Sequence, residues 1–244
     1  MTTKNNNLDL SIIIPVYNED ESAELMLNIF FLYLKLNIEI IIVYDFDEDS
    51  TVEIAKKLQK KYTNIKIVKN ESTGAKNALL TGLKVSSSDI ILLTVIDELC
   101  PITSYEKMHK LIKEDSYDLV SATRYKKGGK RYGGSILGHF FSKTANLILH
   151  FMFKFPLSDA TTGIKMFKKS IIDKIQLKSN VGWSFALELS LKSYLIDLKI
   201  TEYPIKSIDR IFGGNSTFHF FLWVKKYYLI IIWGVYQIIK KKFK

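Results

Sequence analysis

β-Branched and other apolar residues fill Leu10 to Pro15, and the chain then breaks into the polar turn Tyr17-Asn18-Glu19. A run of this kind predicts a buried strand that delivers the turn to the carboxyl end of a sheet. The same grammar recurs downstream. Glu21 to Lys35 carries Leu25, Ile29 and Leu32 at helical spacing, and Ile38 to Val43 forms a second apolar run. Val52 to Tyr62 and Gly74 to Val85 have helical periodicity, with short strands predicted at Ile65 to Val68 and Asp89 to Val95. Strands alternating with helices of this length predict an α/β fold: a mostly parallel, doubly wound sheet with right-handed crossovers and flanking helices. Ligands bind such sheets beyond the carboxyl ends of the strands, so the loops there are where chemistry is to be sought.

The pattern changes after Arg124. A basic, glycine-rich stretch, KKGGKRYGG, leads into Ile136 to Phe155, where His139, Lys143, Asn146, His150 and Lys154 share one helical stripe. Ile136, Phe140, Ile148, Phe151, Met152 and Phe155 occupy the other side. Both a helix packed on the core and a helix lying in a lipid interface have this amphipathic form. A second membrane candidate is the C-terminal stretch Phe218 to Lys244. Its apolar run between Lys226 and Lys240 would reach only about 20 Å as a helix, against a hydrocarbon core of about 30 Å. A peripheral helix with Trp223, Tyr227, Tyr228 and Trp233 at the headgroups is the expectation, and a helix packed on the domain or in a homo-oligomer interface is the alternative. The predicted organisation is one domain over residues 1–217 followed by this helix at 218–244.

Composition narrows the partners. The 244 residues are enough for one large α/β domain, and a net charge of +10 points to an anionic partner. Nucleoside diphosphates and anionic membranes fit. Nucleic acid is not expected, because no recognition motif accompanies the charge. The single cysteine, Cys100, excludes a disulfide framework and fits a reducing compartment. The N-terminus has no apolar signal-peptide core, so export is not expected.

Two acidic loops stand at predicted strand ends. Asp45, Asp47, Glu48 and Asp49 follow the second strand, either as a helix-capping turn or, through Asp45, as acceptors for the base or ribose of a nucleotide. Asp97 and Glu98 follow the fourth, where carboxylates can hold Mg²⁺ or Mn²⁺. There is no glycine-rich phosphate loop, so phosphates would be managed by the metal and by Arg or Lys.

With IPVYNE at 14–19, IIVYDFDEDST at 41–51, Arg124-Tyr125, DATTGIKMF at 159–167 and DRIFGGNS at 209–216, the chain resembles the inverting glycosyltransferase family 2 of GT-A fold, in its dolichyl- or polyprenyl-phosphate mannose synthase branch. The resemblance implies a nucleotide-sugar pocket of Pro15, Tyr17, Glu19, Val43, Asp45, Ile96 and Asp97. It also implies metal binding at Asp97, and Arg124 and Arg210 on the diphosphate or the acceptor phosphate. Val95 stands where the family's metal motif has its first aspartate, which leaves Asp97 with Glu98 as a substitute ligand. A hydroxyl acceptor would need a base, for which Asp159 and Glu188 are candidates; each is equally readable as structural, Asp159 as a cap or turn and Glu188 on a helix surface. The implied activity is transfer of a sugar from a nucleoside-diphosphate sugar to polyprenyl phosphate, by a peripheral enzyme on the cytoplasmic face of the membrane. The alternatives are transfer to a hydroxyl of a lipid-linked glycan or surface-polysaccharide precursor, and a nucleotide-sugar-binding scaffold without turnover.

Overall fold

The computed structural model describes residues 8–208 and 220–243. β1 (Leu10–Val16), α1 (Asp20–Tyr33), β2 (Ile38–Tyr44), α2 (Ser50–Gln59), β3 (Ile65–Lys69), α3 (Ala75–Val85) and β4 (Ile90–Leu93) form the alternating half that the pattern predicts. α4 (Ile102–Lys113), β5 (Leu119–Thr123), β6 (Lys130–Tyr132), α5 (Ile136–Leu147) and β7 (Lys165–Lys168) follow. α6 (Ser184–Leu195), β8 (Ile200–Pro204), β9 (Lys206–Ile208) and α7 (Phe220–Lys242) complete the described chain.

Seven strands make one sheet in the order β3-β2-β1-β4-β7-β5-β8, and β6 pairs with β9 apart from it. β1 is the centre. Its Ile12, Ile13 and Ile14 are all fully buried, because helices cover both faces of the sheet. Successive residues feed opposite cores: Ile12 and Ile14 join Met26 and Phe30 of α1 and Tyr105 and Met108 of α4. Ile13 joins Leu79 of α3 and Phe185 and Leu189 of α6. Each such side chain contributes about 1.5–3 kcal/mol when fully buried, so a one-residue slip of β1 would exchange the partners of its entire core set.

Parallel pairing of β1 with β2 and with β4 brings the loops after these three strands to one edge. β7 runs antiparallel to both β4 and β5. Its incoming residues therefore arrive at the edge where the parallel strands end. This reversal brings residues 159–164 to the loop after β5.

Two predicted elements differ. The fourth strand ends at Leu93 rather than Val95, because the Thr94 hydroxyl turns inward to the buried Tyr105 hydroxyl at 2.6 Å. The helix expected over 136–155 is α-helical only to Leu147 and continues as a π-helical turn, Ile148–Met152. Phe155, placed on its apolar stripe, instead lies in a small core with Leu149, Leu187 and Ile238. α7 is one continuous helix of 23 residues, and no described helix is long and apolar enough to cross a membrane. One side of α7 packs on α6, where Gly234 lies against Leu191 so closely that a Cβ would come within 2.7 Å of its side chain. Lys241 donates to the Tyr194 and Leu195 carbonyls at the end of α6 and to Asp197, which pins the helix to the domain.

Candidate active site

The loops after β1 and β2 are stapled together. Asp49 caps α2 by accepting from Thr51 N at 2.9 Å, and the same oxygen accepts from Asn18 N at 3.2 Å. Asn18, at φ 52°, returns its side-chain oxygen to Ser50 N, while Glu19 N donates to Thr51 Oγ1 at 2.8 Å. The capping role expected of the acidic loop thus belongs to Asp49. Asp45 instead turns to the neighbouring loop. Its carboxylate accepts from Asn70 Nδ2 at 2.7 Å and Gly74 N at 2.9 Å, which fixes the connection between β3 and α3. Tyr17 is exposed and meets the Phe46 ring edge-on at 5.2 Å. Pro15 and Glu19 stand at this same edge, both half-buried. Val43 and Ile96 are core residues, at 1% and 2% exposure, and neither lines a cavity wall as the sequence suggests.

Beyond β5 lies the strongest polar contact of the edge. Asp159, fully buried, accepts from Arg124 Nε at 2.7 Å, Nη2 at 2.9 Å and backbone N at 3.1 Å. Burial alone would raise the Asp159 pKa, but the facing guanidinium overrides it and holds the carboxyl below its ordinary range. Burial likewise works against the charge of Arg124, and Asp159 reverses the effect so that the guanidinium stays protonated. Beneath the pair, the buried Lys165 donates to Ser121 Oγ at 3.0 Å and to the Ala160 carbonyl at 3.3 Å. Desolvation pulls its pKa down to about 7, against the opposing pull of Asp159.

A cavity of about 560 Å³ opens above this pair. Its lining combines the charged Asp97, Glu98, Arg124 and Arg131 with the aromatic and aliphatic Phe141, Trp183, Trp223, Tyr227 and Ile231. Gly163 forms part of its floor, where a Cβ would stand 2.6 Å from the Trp183 ring. The structure thus brings Asp97, Glu98 and Arg124 together. Glu188 is elsewhere. It is 5% exposed on α6, accepts from Lys178 N and Ser179 N at 2.9 and 2.7 Å, and pairs with Lys192. It is therefore not the helix-surface residue that the sequence suggests, nor does it line the cavity. Arg210 lies outside the described residues.

Asp97 and Glu98 offer two hard oxygen donors in the cavity lining, and no group of three or more His, Cys, Asp or Glu able to hold a metal occurs among the described residues. Two carboxylates fit Mg²⁺ or Mn²⁺ here, because Mg²⁺ retains waters and completes its shell with substrate phosphates. The sequence did not single out Arg131, Trp183 or Lys165 as site residues. Arg131 had a signal in the basic stretch before Ile136, but only the pairing of β6 with β9 locates it.

Comparisons with known proteins bear on the family and the fold. Residues 11–176 match the family model described as glycosyl transferase family 2. A dolichol-phosphate mannosyltransferase of Pyrococcus furiosus is 28% identical over 81% of this chain, which spans 56% of that protein's length. A dolichyl-phosphate hexose transferase of Haloferax volcanii is 25% identical over 83% of this chain and 84% of its own. Among solved structures, glucosyl-3-phosphoglycerate synthase from Mycobacterium tuberculosis, in complex with Mg²⁺ and UDP, superimposes with a TM-score of 0.71 at 13% identity. The match covers 93% of this chain and 79% of that one, and it supports the GT-A fold.

Proposed function

The chain belongs to glycosyltransferase family 2, and we propose that it transfers a sugar from a nucleoside-diphosphate sugar to a polyprenyl phosphate at a membrane surface. One observation carries the choice of acceptor. The cavity lining combines the cations Arg124 and Arg131 with apolar and aromatic side chains of α5 and α7, and these are the chemistries of a phosphate head and its hydrocarbon tail. The names of the two relatives point the same way.

The nucleotide lies, in this account, along the ends of β2, β1 and β4, with Asp45 facing the base or ribose and the diphosphate directed toward Asp97. Asp97 and Glu98 would hold Mg²⁺ or Mn²⁺, which would supply positive charge to the leaving diphosphate. Arg124 contributes fixed positive charge that requires no reorganisation during the reaction, because Asp159 and Thr161 already orient it. An oxygen of the acceptor phosphate attacks the anomeric carbon from the face opposite the diphosphate. The new C–O bond forms as the bond to the diphosphate breaks, and the nucleoside diphosphate departs with that electron pair. No general base is needed, since the phosphate is already anionic near neutral pH. Asp159 is accordingly assigned as the holder of Arg124 rather than as a base.

The exposed apolar residues of α5 and α7, together with exposed Lys143, Lys225, Lys226 and Lys240, support a peripheral position on an anionic leaflet such as the cytoplasmic one. Offering polyprenyl phosphate and the corresponding polyprenol as alternative acceptors tests the assignment. Sugar should move to the phosphate alone, and equal transfer to the alcohol would reject it.

A further inference from the structure

α5 leaves much of its apolar surface uncovered and turns one polar side chain, Asn146, fully inward. Its apolar residues Ile136 and Phe140, with Phe151 and Met152 of the π-helical turn, keep 62–87% of their surface in solvent, whereas Asn146 is 1% exposed. The buried polar side is hydrogen-bonded to the groups around Arg124. Asn146 Oδ1 accepts from Ala160 N at 2.8 Å, and its Nδ2 donates to Thr161 Oγ1 at 2.9 Å and reaches Asp159 Oδ1 at 3.4 Å. One turn earlier, Ser142 accepts from the Tyr125 hydroxyl at 3.0 Å and shares a hydrogen bond with Thr161 at 2.8 Å. Thr161 in turn accepts from Arg124 Nη2.

The energetics of this helix are lopsided. A helix of 12 residues is marginal in water without a packed apolar face, and most of the apolar face of α5 is uncovered. Its seating therefore depends on inward hydrogen bonds, each contributing only about 0.5–1.5 kcal/mol net. A lipid interface would bury the apolar face and add the missing hydrophobic term. Exposed Lys143 on α5, Lys154 just beyond it, and Lys225, Lys226 and Lys240 on α7 select an anionic bilayer as the occupant, in keeping with the net charge of +10.

We propose that Asn146 is a positioning residue through which an anionic lipid surface, bound by the outward face of α5, fixes the Arg124–Asp159 pair in its working geometry. This rests on the membrane part of the proposed function but not on the identity of the acceptor. The enzyme would then be most ordered at its site where its lipid substrate is found, and looser in bulk water.

Amide hydrogen exchange of the full chain tests the coupling, with and without phosphatidylcholine vesicles containing phosphatidylglycerol and lacking both donor and polyprenyl phosphate. In the wild type, vesicles should slow exchange about tenfold in residues 136–152 and also at the amides of 124–126, which do not contact α5 through their own N–H groups. Asn146→Ala should keep the first protection and lose the second. An Asn146 with only a structural role would speed exchange at 124–126 equally with and without vesicles, leaving the vesicle-induced ratio unchanged. Phe140→Ser combined with Phe151→Ser, both on the exposed face, should abolish vesicle binding and both protections while leaving exchange in solution unaltered. If Asn146→Ala does not fold, the milder Asn146→Ser is read by the same vesicle-induced ratio at 124–126. The proposal is overturned by protection confined to 136–152 in the wild type, by an unchanged vesicle-induced ratio in Asn146→Ala, by absence of vesicle binding, or by self-association that covers the face instead. Because no acceptor is present, failure of the polyprenyl-phosphate assignment would leave this outcome untouched.

Discussion

Asp159 grips Arg124 through both carboxylate oxygens, with Oδ2 2.7 Å from Nε and Oδ1 2.9 Å from Nη2. The two residues are 35 positions apart and meet because antiparallel β7 carries its incoming loop to the end of parallel β5. The pair converts a flexible arginine into a fixed charge at the cavity. It also commits a fully buried carboxylate near that cavity to structure.

Asp159→Asn should therefore behave as the loss of one partner of a buried ion pair, destabilising the fold by about 3–5 kcal/mol. In a double-mutant cycle with Arg124→Ala, transfer by the double variant should be no slower than with Arg124→Ala alone. Additive losses in transfer rate would return Asp159 to an independent chemical role.

Lys165 gives a pH signature of stability. Its folded pKa, depressed by burial to about 7, lies below its unfolded value of about 10.4, so the unfolded chain binds more protons between these limits. The contribution of this group to stability must then rise with pH across that window and be least favourable below about pH 7. Charged neighbours Asp159 and Glu202 favour the protonated form and Arg124 opposes it. Lys165→Met should raise the melting temperature more at pH 6 than at pH 9. Denaturation scans showing the reverse order would contradict the assignment.

Asp97→Asn should reduce metal-dependent transfer by about 100-fold or more while leaving the melting temperature within a few degrees, because the residue stands at the cavity rather than in the core. Glu98→Gln should cost less. Wild-type transfer that persists in EDTA would remove the metal from the mechanism.

Asp45→Ala should weaken donor binding about tenfold, the equivalent of one or two hydrogen bonds, with little change in kcat at saturating donor. Asn70→Ala, which removes a donor to the same carboxylate, should have a smaller effect of the same sign. Calorimetric titration with the nucleotide sugar distinguishes these outcomes; an unchanged Kd in Asp45→Ala would take the residue out of the pocket.

The central sheet was legible because its strands are buried on both faces, and runs such as Ile12-Ile13-Ile14 admit few other uses. The position of Asp45 and Asp97 at one edge followed from it, since strand ends in a parallel sheet define that edge. Asn146 was not legible as an inward group. Amphipathicity separates two sides of a helix but does not say which one meets the protein, and a polar stripe ordinarily means solvent. Glu188 misled for a related reason: α6 is buried nearly all round, so its glutamate is enclosed and satisfied by the Lys178 and Ser179 amides. Arg131 required a long-range strand pair that no local pattern encodes.

The most direct test of the central claim is incubation of the purified protein with a panel of labelled nucleoside-diphosphate sugars, Mg²⁺ or Mn²⁺, and vesicles with and without polyprenyl phosphate, followed by analysis of the lipid fraction. One donor should yield a labelled lipid that requires both the divalent cation and polyprenyl phosphate, with release of one nucleoside diphosphate per sugar transferred. Label appearing only on a hydroxyl acceptor would contradict the acceptor assignment, and binding of a nucleotide sugar without turnover under any condition would contradict the enzyme itself.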